Sequence, residues 1–165
     1  MLRAPVIIFC TFIACPAPLA AEMTARVVNV ADGDTITVLT PDKKQLRVRL
    51  AGIDAPERKQ PFGSRSRQNL SGVIHGKEVQ LDCYKADQYR RQVCRVYLNG
   101  RDVGLDQVRE GFAWWYRRYV NEQESRERKA YESAETEAKT RRAGLWVDKS
   151  PVPPWEWRQA RRRRR

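Results

Sequence analysis

Short strand-like runs separated by turn residues constrain the fold of this chain most strongly. Residues 24–30, 35–39 and 45–51 are rich in β-branched residues or alternate in polarity, and Asp32-Gly33 and residues 41–44 interrupt them. An Asp-Gly pair between two strand-like runs is a strong signal for a β-hairpin. The first third of the chain therefore predicts a meander of three antiparallel strands.

The rest of the chain adds two strands and three helices. A helical pattern at residues 61–75 precedes a second hairpin, whose strands are predicted at 77–82 and 93–98. A short helix stopped by Gly111 and a long polar helix at 121–142 follow. Five short strands with a helix between the third and fourth are typical of an OB-type barrel. We expect an α+β fold, a five-stranded OB-type β-barrel with three α-helices.

The first residues have the pattern of an export signal. Arg3 supplies a positive start, residues 6–14 are apolar, and residues 18–21 offer small side chains at a plausible cleavage point. The apolar run is shorter than the roughly 20 residues that a membrane-spanning helix needs. We therefore expect an exported protein, periplasmic or secreted, with no stable membrane span.

Two other interpretations of this segment rank lower. Ile13-Ala14-Cys15 loosely resembles a lipoprotein cleavage site, which would lipidate Cys15, but Phe12 fits poorly where Leu is usual. The segment could also be an uncleaved anchor or a buried strand. The predicted organisation is a signal peptide at 1–21, a barrel domain at 22–148 and a C-terminal tail at 149–165.

The charge of the chain indicates a polyanionic partner. The sequence holds 32 Lys and Arg residues, a formal net charge of +12 and a pI near 10, which suits nucleic acid or an acidic membrane surface. The tail is expected to be extended at Pro151–Trp157 and disordered at Arg161–Arg165. The arginines could act as a tether for a polyanion or form a solvated chain end.

Two cysteines lie in the predicted domain, Cys83 and Cys94. An even number of cysteines in an exported protein favours a disulfide, and the second hairpin places these two near opposite positions. The alternative is a pair of reduced, buried thiols. No set of four zinc ligands exists after the signal segment.

Three acidic residues near the barrel's first strands point to metal chemistry. Asp34, Asp54 and Glu57 lie close to Arg49. Converging carboxylates suit a hard divalent cation, and guanidinium groups suit phosphate. This combination favours a metal-assisted phosphodiesterase. Asp32 is interpreted as a turn residue, and an EF-hand is excluded because no Glu closes a 12-residue loop.

Several blocks of sequence resemble the signature blocks of the staphylococcal nuclease family. They are residues 30–35, 49–57 and 87–91, with a closing segment at 143–146. The resemblance covers roughly residues 24–147, in the same order and at compatible spacings. It implies a five-stranded OB-type barrel with three helices and calcium-dependent hydrolysis of DNA and RNA.

The resemblance also implies roles for individual residues. Ca²⁺ would be bound by the carboxylates of Asp34 and Asp54 and by the main-chain carbonyl of Ala55. Glu57 matches the proposed general base. The phosphate-binding arginines and nucleotide-contacting tyrosines would be Arg49, Arg91, Tyr89 and Tyr119.

Three positions depart from the family pattern. Arg90 stands where Gly is usual, Arg117 where a second site tyrosine occurs in the founding member, and Ala55 where Thr is usual. A carbonyl ligand tolerates the last change. Arg90 or Arg95 could also replace Arg91 as the second phosphate-binding residue.

Three functions compete at this point. The leading hypothesis is a calcium-dependent nuclease, expected to be monomeric and to prefer single-stranded DNA and RNA or frayed duplexes. The second is a catalytically inactive nucleic-acid-binding OB module. The third, a basic protein on an anionic envelope surface, leaves the acidic cluster unexplained.

Overall fold

Residues 23–163, the part of the chain that the computed structural model describes, form eight strands and four α-helices. The strands are β1 (Met23–Val30), β2 (Thr35–Leu39), β3 (Gln45–Leu50), β4 (Ile53–Asp54), β5 (Glu78–Ala86), β6 (Gln92–Leu98), β7 (Arg101–Asp102) and β8 (Trp114–Trp115). The helices are α1 (Gly63–Ile74), α2 (Val103–Arg109), α3 (Ser125–Thr140) and α4 (Pro154–Arg163). The predicted signal peptide, including Cys15, and the last two arginines lie outside the described residues.

Five strands close into a barrel. Antiparallel pairs join β1 to β2, β2 to β3, β1 to β5 and β5 to β6. A parallel pair between β3 and β6 completes the ring, with Val48 opposite Gln92 and Leu50 opposite Cys94. The predicted five-stranded OB-type barrel of an α+β fold is therefore confirmed, with each strand close to its expected position.

The barrel interior is filled by β-branched and leucine side chains. Val27, Ile36 and Val38 are fully buried, because alternate residues of each strand point inward. Helix α1 adds Leu70 and Ile74, which are also fully buried and lie on one helix face. Each such side chain contributes about 1.5–3 kcal/mol through loss of water contact. This core holds together the strands and the helix that position the groove residues.

The hairpin predicted at Asp32-Gly33 is present, but the glycine is needed for a reason other than its backbone angle. Gly33 is not among the residues with positive φ. A Cβ atom at Gly33 would instead lie 1.8 Å from the hydroxyl oxygen of Ser66 and 2.8 Å from the Cβ of Ala55. The absence of a side chain allows α1 and the chain after β4 to approach the hairpin.

Helix α3 begins four residues later than predicted. Residues Arg117–Glu122 form a 3-10 helix, and Glu124 and Glu127 then form a capping box at the start of α3. A capping box satisfies two free N–H groups and so fixes where a helix starts. None of the helices formed by residues 23–163 is both long and apolar enough to cross a membrane.

The expectation for the C-terminal segment is wrong, because Pro154–Arg163 is a helix and so a fourth α-helix is present. The prolines suggested an extended chain. However, proline is favoured at the first position of a helix, where its missing N–H is not required. The carbonyl of Pro153 accepts hydrogen bonds from the N–H groups of Glu156 and Trp157, at 3.1 and 3.0 Å. Residues through Arg163 are thus ordered as helix instead of forming an extended or disordered tail.

A disulfide joins Cys83 in β5 to Cys94 in β6. The two residues face each other across the antiparallel pair, and their Cα atoms are 4.0 Å apart. The predicted pairing is therefore present, and it ties the second hairpin of the barrel together.

Candidate functional site

A single groove gathers the predicted site residues. It has a volume of about 860 Å³ and lies between the end of β3, the β5–β6 loop, the 3-10 helix Arg117–Glu122 and α4. Eight residues singled out from the sequence line it, namely Asp34, Arg49, Asp54, Ala55, Glu57, Tyr89, Arg91 and Tyr119.

Arg49 connects the two carboxylates that were predicted to bind metal. Its Nη1 lies 2.9 Å from Oδ2 of Asp34, and its Nη2 lies 3.1 Å from Oδ1 of Asp54. Asp34 and Asp54 are 6% and 1% exposed. The strand register explains this meeting, because Arg49 in β3 stands opposite Thr35 in β2, and Asp54 follows a tight turn after β3.

Two acidic side chains of the groove have raised pKa values because they are buried. Burial, with the charge of Asp34 next, raises the pKa of Asp32 to about 7. Burial also raises the pKa of Asp54 above its ordinary value, although hydrogen bonds from Arg158 oppose this rise and the charge of Asp34 adds to it. A cation near these carboxylates would relieve both effects.

Asp32 has two roles in the structure. Its Oδ1 accepts a hydrogen bond of 3.1 Å from the N–H of Asp34, as expected of a turn residue. Its carboxylate also lines the groove. The turn interpretation was therefore incomplete, because the fold places this carboxylate beside Asp34 and adds to the negative charge.

The loop carrying Glu57 is held by Gln60. The N–H of Glu57 donates to Oε1 of Gln60 at 3.1 Å, and the N–H of Gln60 donates to the carbonyl of Glu57 at 2.8 Å. A Cβ atom at Gly63 would lie 2.0 Å from that same carbonyl, so the start of α1 packs directly against the loop. These contacts fix the backbone from which the Glu57 carboxylate projects.

Arg91 is connected to the acidic cluster through Thr35. Its Nε donates to Oδ2 of Asp87 at 2.8 Å, and its Nη1 donates to Oγ1 of Thr35 at 2.9 Å. Thr35 in turn donates to Oδ1 of Asp34 at 3.0 Å. Desolvation acts to raise the pKa of Asp87, but hydrogen bonds from Arg91 outweigh it and hold this pKa below its ordinary value. The sequence pattern did not identify Thr35, whose hydroxyl group connects Arg91 to Asp34.

The other arginines considered for this position lie elsewhere. Arg95 is bound to Glu127 and Asp82, outside the groove lining. Arg90 is exposed and has a φ of 61°, a left-handed backbone angle that explains why Gly is usual there. Arg91 is the member of this set that lines the groove.

Exposed aromatic rings line the rim of the groove. Tyr89 and Tyr119 are 58% and 43% exposed. The Arg91 guanidinium lies 5.4 Å from the ring centre of Tyr89, and the Lys85 ammonium lies 4.4 Å from that of Tyr119. Exposed rings beside cationic groups suit the stacking of bases.

Arg117, which stands where a second site tyrosine occurs in the founding member of the family, points away from the groove. Its Nη1 is 2.9 Å from Oε2 of Glu135, and its guanidinium lies 4.1 Å from the ring centre of Trp115. Arg117 is therefore not among the residues that line the groove.

Arg158 in α4 enters the acidic cluster, and the sequence analysis did not anticipate it. Its Nη2 is 2.7 Å from Oδ2 of Asp54, and its Nη1 is 2.8 Å from Oε1 of Glu57. Asp54 and Arg158 are 104 positions apart in the chain. The available signals were a proline at the helix start, an acidic first turn and a basic last turn.

The donor set fits a hard cation better than a soft one. Asp34 and Asp54 offer carboxylate oxygens, and Ala55, which also lines the groove, would offer its main-chain carbonyl. Ca²⁺ takes 6–8 oxygen ligands, so water and phosphate would complete such a site. No group of three His, Cys, Asp or Glu side chains within residues 23–163 is arranged to hold a metal by itself.

Chemically, this arrangement can hold a phosphodiester and present water to it. Arg49 and Arg91 both line the groove, and guanidinium groups can bind two phosphoryl oxygens at once. Glu57 lies beside them and can accept a proton from water.

Comparisons with known proteins agree with this chemistry. A family model described as "Staphylococcal nuclease homologue" matches residues 47–148, more than half of the chain. An "Uncharacterized endonuclease" of Haemophilus influenzae is 36% identical over 159 residues, which cover 96% of this chain and 84% of that protein.

Two further relatives cover most of their own length. A "Micrococcal nuclease" of Shigella flexneri is 40% identical over 152 residues, covering 87% of this chain and 84% of the relative. "Protein ParB" of Escherichia coli is 38% identical over 174 residues, covering 100% of this chain and 94% of the relative.

Proposed function

The chain belongs to the staphylococcal nuclease family and is a nuclease, and we propose that it hydrolyses phosphodiester bonds of DNA and RNA with Ca²⁺ as its cofactor. The single observation that carries this proposal is the groove, in which Arg49 bridges the buried carboxylates of Asp34 and Asp54 next to Glu57. A protein that only bound nucleic acid would gain nothing from burying carboxylates where phosphate must lie.

The metal would be held by Asp34, Asp54 and the carbonyl of Ala55. When bound there, it would supply positive charge to a phosphoryl oxygen as charge develops. The all-oxygen donor set supports Ca²⁺ over zinc.

The chain's own residues would carry the remaining chemistry. Glu57 would orient a water molecule and accept its proton while the water oxygen bonds to phosphorus. The bond from phosphorus to the leaving oxygen then breaks, and that oxygen takes a proton from solvent. Arg49 and Arg91 would stabilise the extra negative charge on the phosphoryl oxygens, each with N–H groups that remain available on a planar guanidinium.

The rim of the groove supports a preference for unpaired bases. Tyr89 and Tyr119 expose their rings, and stacking on such rings contributes about 1–3 kcal/mol per base with little sequence preference. Bases stacked inside a duplex cannot use these rings. We therefore propose single-stranded nucleic acid or frayed duplex as the substrate.

Export of the protein is also proposed. It rests on the apolar, small-residue pattern of residues 1–21 and on the disulfide between Cys83 and Cys94, since disulfides persist in oxidising compartments. Mass spectrometry of the protein from its native cell would test it. Cleavage near Ala21 supports export without lipid, and a lipidated Cys15 would contradict that version.

Cleavage of single-stranded DNA tests the catalytic proposal. We expect activity with CaCl₂, little with MgCl₂ and none with EGTA. Glu57→Gln should lower kcat by about 10²–10⁴, the usual contribution of a positioned proton acceptor.

The matched control is Glu132→Gln, an exposed residue of α3 that should keep the wild-type kcat. Activity that survives EGTA would contradict the calcium mechanism. Tight DNA binding without cleavage under any condition would support the inactive binding module instead.

A further inference from the structure

Helix α4 lies against the groove although it follows the 47–148 range that matches the family model. Trp155, Arg158, Gln159 and Arg162 all line the groove. This helix is therefore positioned to affect the proposed active site directly.

Aromatic packing holds α4 in place. The ring of Trp155 stacks on Tyr116 with centres 5.4 Å apart and an interplanar angle of 25°, and it meets the edge of Trp114 at 6.4 Å. The side chain of Gln60 donates a 2.6 Å hydrogen bond to the carbonyl of Val152, just before the helix. Gln60 also holds the Glu57 loop, so α4 and that loop are connected.

The Arg158 guanidinium uses the oxygens on which the proposed chemistry depends. Nη2 and Nη1 contact Oδ2 and Oδ1 of Asp54, at 2.7 and 3.2 Å, and Nη1 also contacts Oε1 of Glu57 at 2.8 Å. Arg49 donates to Oδ1 of Asp54 as well. Both carboxylate oxygens of Asp54 therefore accept N–H groups, and one oxygen of Glu57 is engaged where a water molecule would be oriented.

A cation at Oδ2 of Asp54 would be strongly repelled by the Arg158 guanidinium, which contacts that oxygen, whereas Arg49 contacts Oδ1 of Asp54. The side chain of Arg158 is 37% exposed, whereas that of Arg49, the other guanidinium on Asp54, is 14% exposed. Arg158 is therefore the guanidinium that can move away from Asp54 when a cation binds.

We propose that α4 is an autoinhibitory cover, in which Arg158 competes with Ca²⁺ for Asp54 and blocks Glu57 until the metal displaces it. This inference rests on the proposed calcium site. It means that the apparent Kd for Ca²⁺ is the intrinsic Kd divided by the fraction of molecules with α4 released. If that fraction is about 1–10%, the cover weakens calcium binding about 10- to 100-fold.

Calcium titration by isothermal calorimetry, without nucleic acid, tests the cover. Arg158→Gln should lower the Kd for Ca²⁺ by about tenfold or more. Trp155→Ala keeps the Arg158 charge but removes the stacking on Tyr116, and it should lower the Kd by at least about threefold. Arg161→Gln, an exposed change of equal charge in the same helix, should leave the Kd within about twofold.

Hydrogen exchange gives a second readout. Addition of CaCl₂ to the wild-type protein should increase amide exchange in residues 154–163 while the barrel strands stay protected. Circular dichroism of each variant confirms that the barrel is folded.

The outcomes separate the cover from the underlying calcium site. Tightening in both Arg158→Gln and Trp155→Ala supports the cover. Tightening in Arg158→Gln alone indicates a local charge effect and overturns it, as does weaker binding in either variant. If the wild type binds Ca²⁺ and no variant differs, the cover is wrong and the calcium site stands. Absence of binding in all four proteins overturns both.

Discussion

Two arginine–carboxylate clusters in this molecule have similar parts but different surroundings. Arg95 donates to both Oε atoms of Glu127, to Oδ2 of Asp82 and to the carbonyl of Glu122, and it thereby ties α3 to the barrel. Arg49 bridges Asp34 and Asp54 at the groove. The side chains of Arg95, Asp82 and Glu127 lie outside the groove lining, whereas Arg49, Asp34 and Asp54 line the groove.

The burial of the carboxylates distinguishes the two clusters. The side chains of Asp82 and Glu127 beside Arg95 are 26% and 22% exposed, whereas those of Asp34 and Asp54 beside Arg49 are 9% and 2% exposed. In the groove, burial raises the pKa of both Asp32 and Asp54, even with Arg49 and Arg158 nearby. Buried carboxylates with raised pKa values are typical of functional sites, and a bound cation would lower both pKa values.

Replacing the central arginine of each cluster should give the largest contrast. Arg49→Lys should lower kcat for single-stranded DNA by about 10²–10³, because an ammonium cannot bind two phosphoryl oxygens as a guanidinium does. Arg95→Lys should keep kcat within about threefold and instead lower the free energy of unfolding by about 1–3 kcal/mol. For both variants, steady-state kinetics measure kcat and urea denaturation measures the free energy of unfolding. A loss of kcat below about threefold in Arg49→Lys would remove the proposed phosphate role.

The pH dependence of stability should also distinguish the groove carboxylates from the Arg95 cluster, with a smaller effect. The pKa of Asp32 is about 7 in the folded protein against 3.8 ordinarily, so the folded state binds more protons between these values. Asp32 should therefore make the folded protein less stable in EGTA as pH rises from about 4 to 7, by up to about 1.4 kcal/mol per pH unit.

Asp32→Asn should flatten this slope, and Asp82→Asn in the Arg95 cluster should leave it in place. Urea denaturation at several pH values provides the measurement. An unchanged slope in Asp32→Asn would show that Asp32 does not carry the buried charge.

Local patterns predicted the strands and the acidic cluster with Arg49 because these residues are close in sequence, whereas Tyr89, Arg91 and Tyr119 were assigned from the family resemblance. The β2–β3 hairpin places Thr35 opposite Arg49, and Asp54 follows within five residues of that arginine. Alternating polarity and turn residues report this kind of short-range arrangement well.

The contribution of α4 to the groove could not be predicted from local sequence patterns. Arg158 meets Asp54 across 104 positions, and tertiary packing of Trp155 on Tyr116 positions its helix. The prolines before it were interpreted as an extended segment, although Pro154 starts a helix. Contacts of this range depend on the complete fold, which periodicity within a short window does not report.

We propose that the groove carboxylates, and not those of the Arg95 cluster, bind the calcium needed for cleavage. The calcium concentration that gives half-maximal cleavage of single-stranded DNA tests this proposal. Asp34→Asn should raise that concentration by more than about tenfold or abolish cleavage, and Asp82→Asn should leave it unchanged. An unchanged value in Asp34→Asn would show that Asp34 does not bind the calcium needed for cleavage.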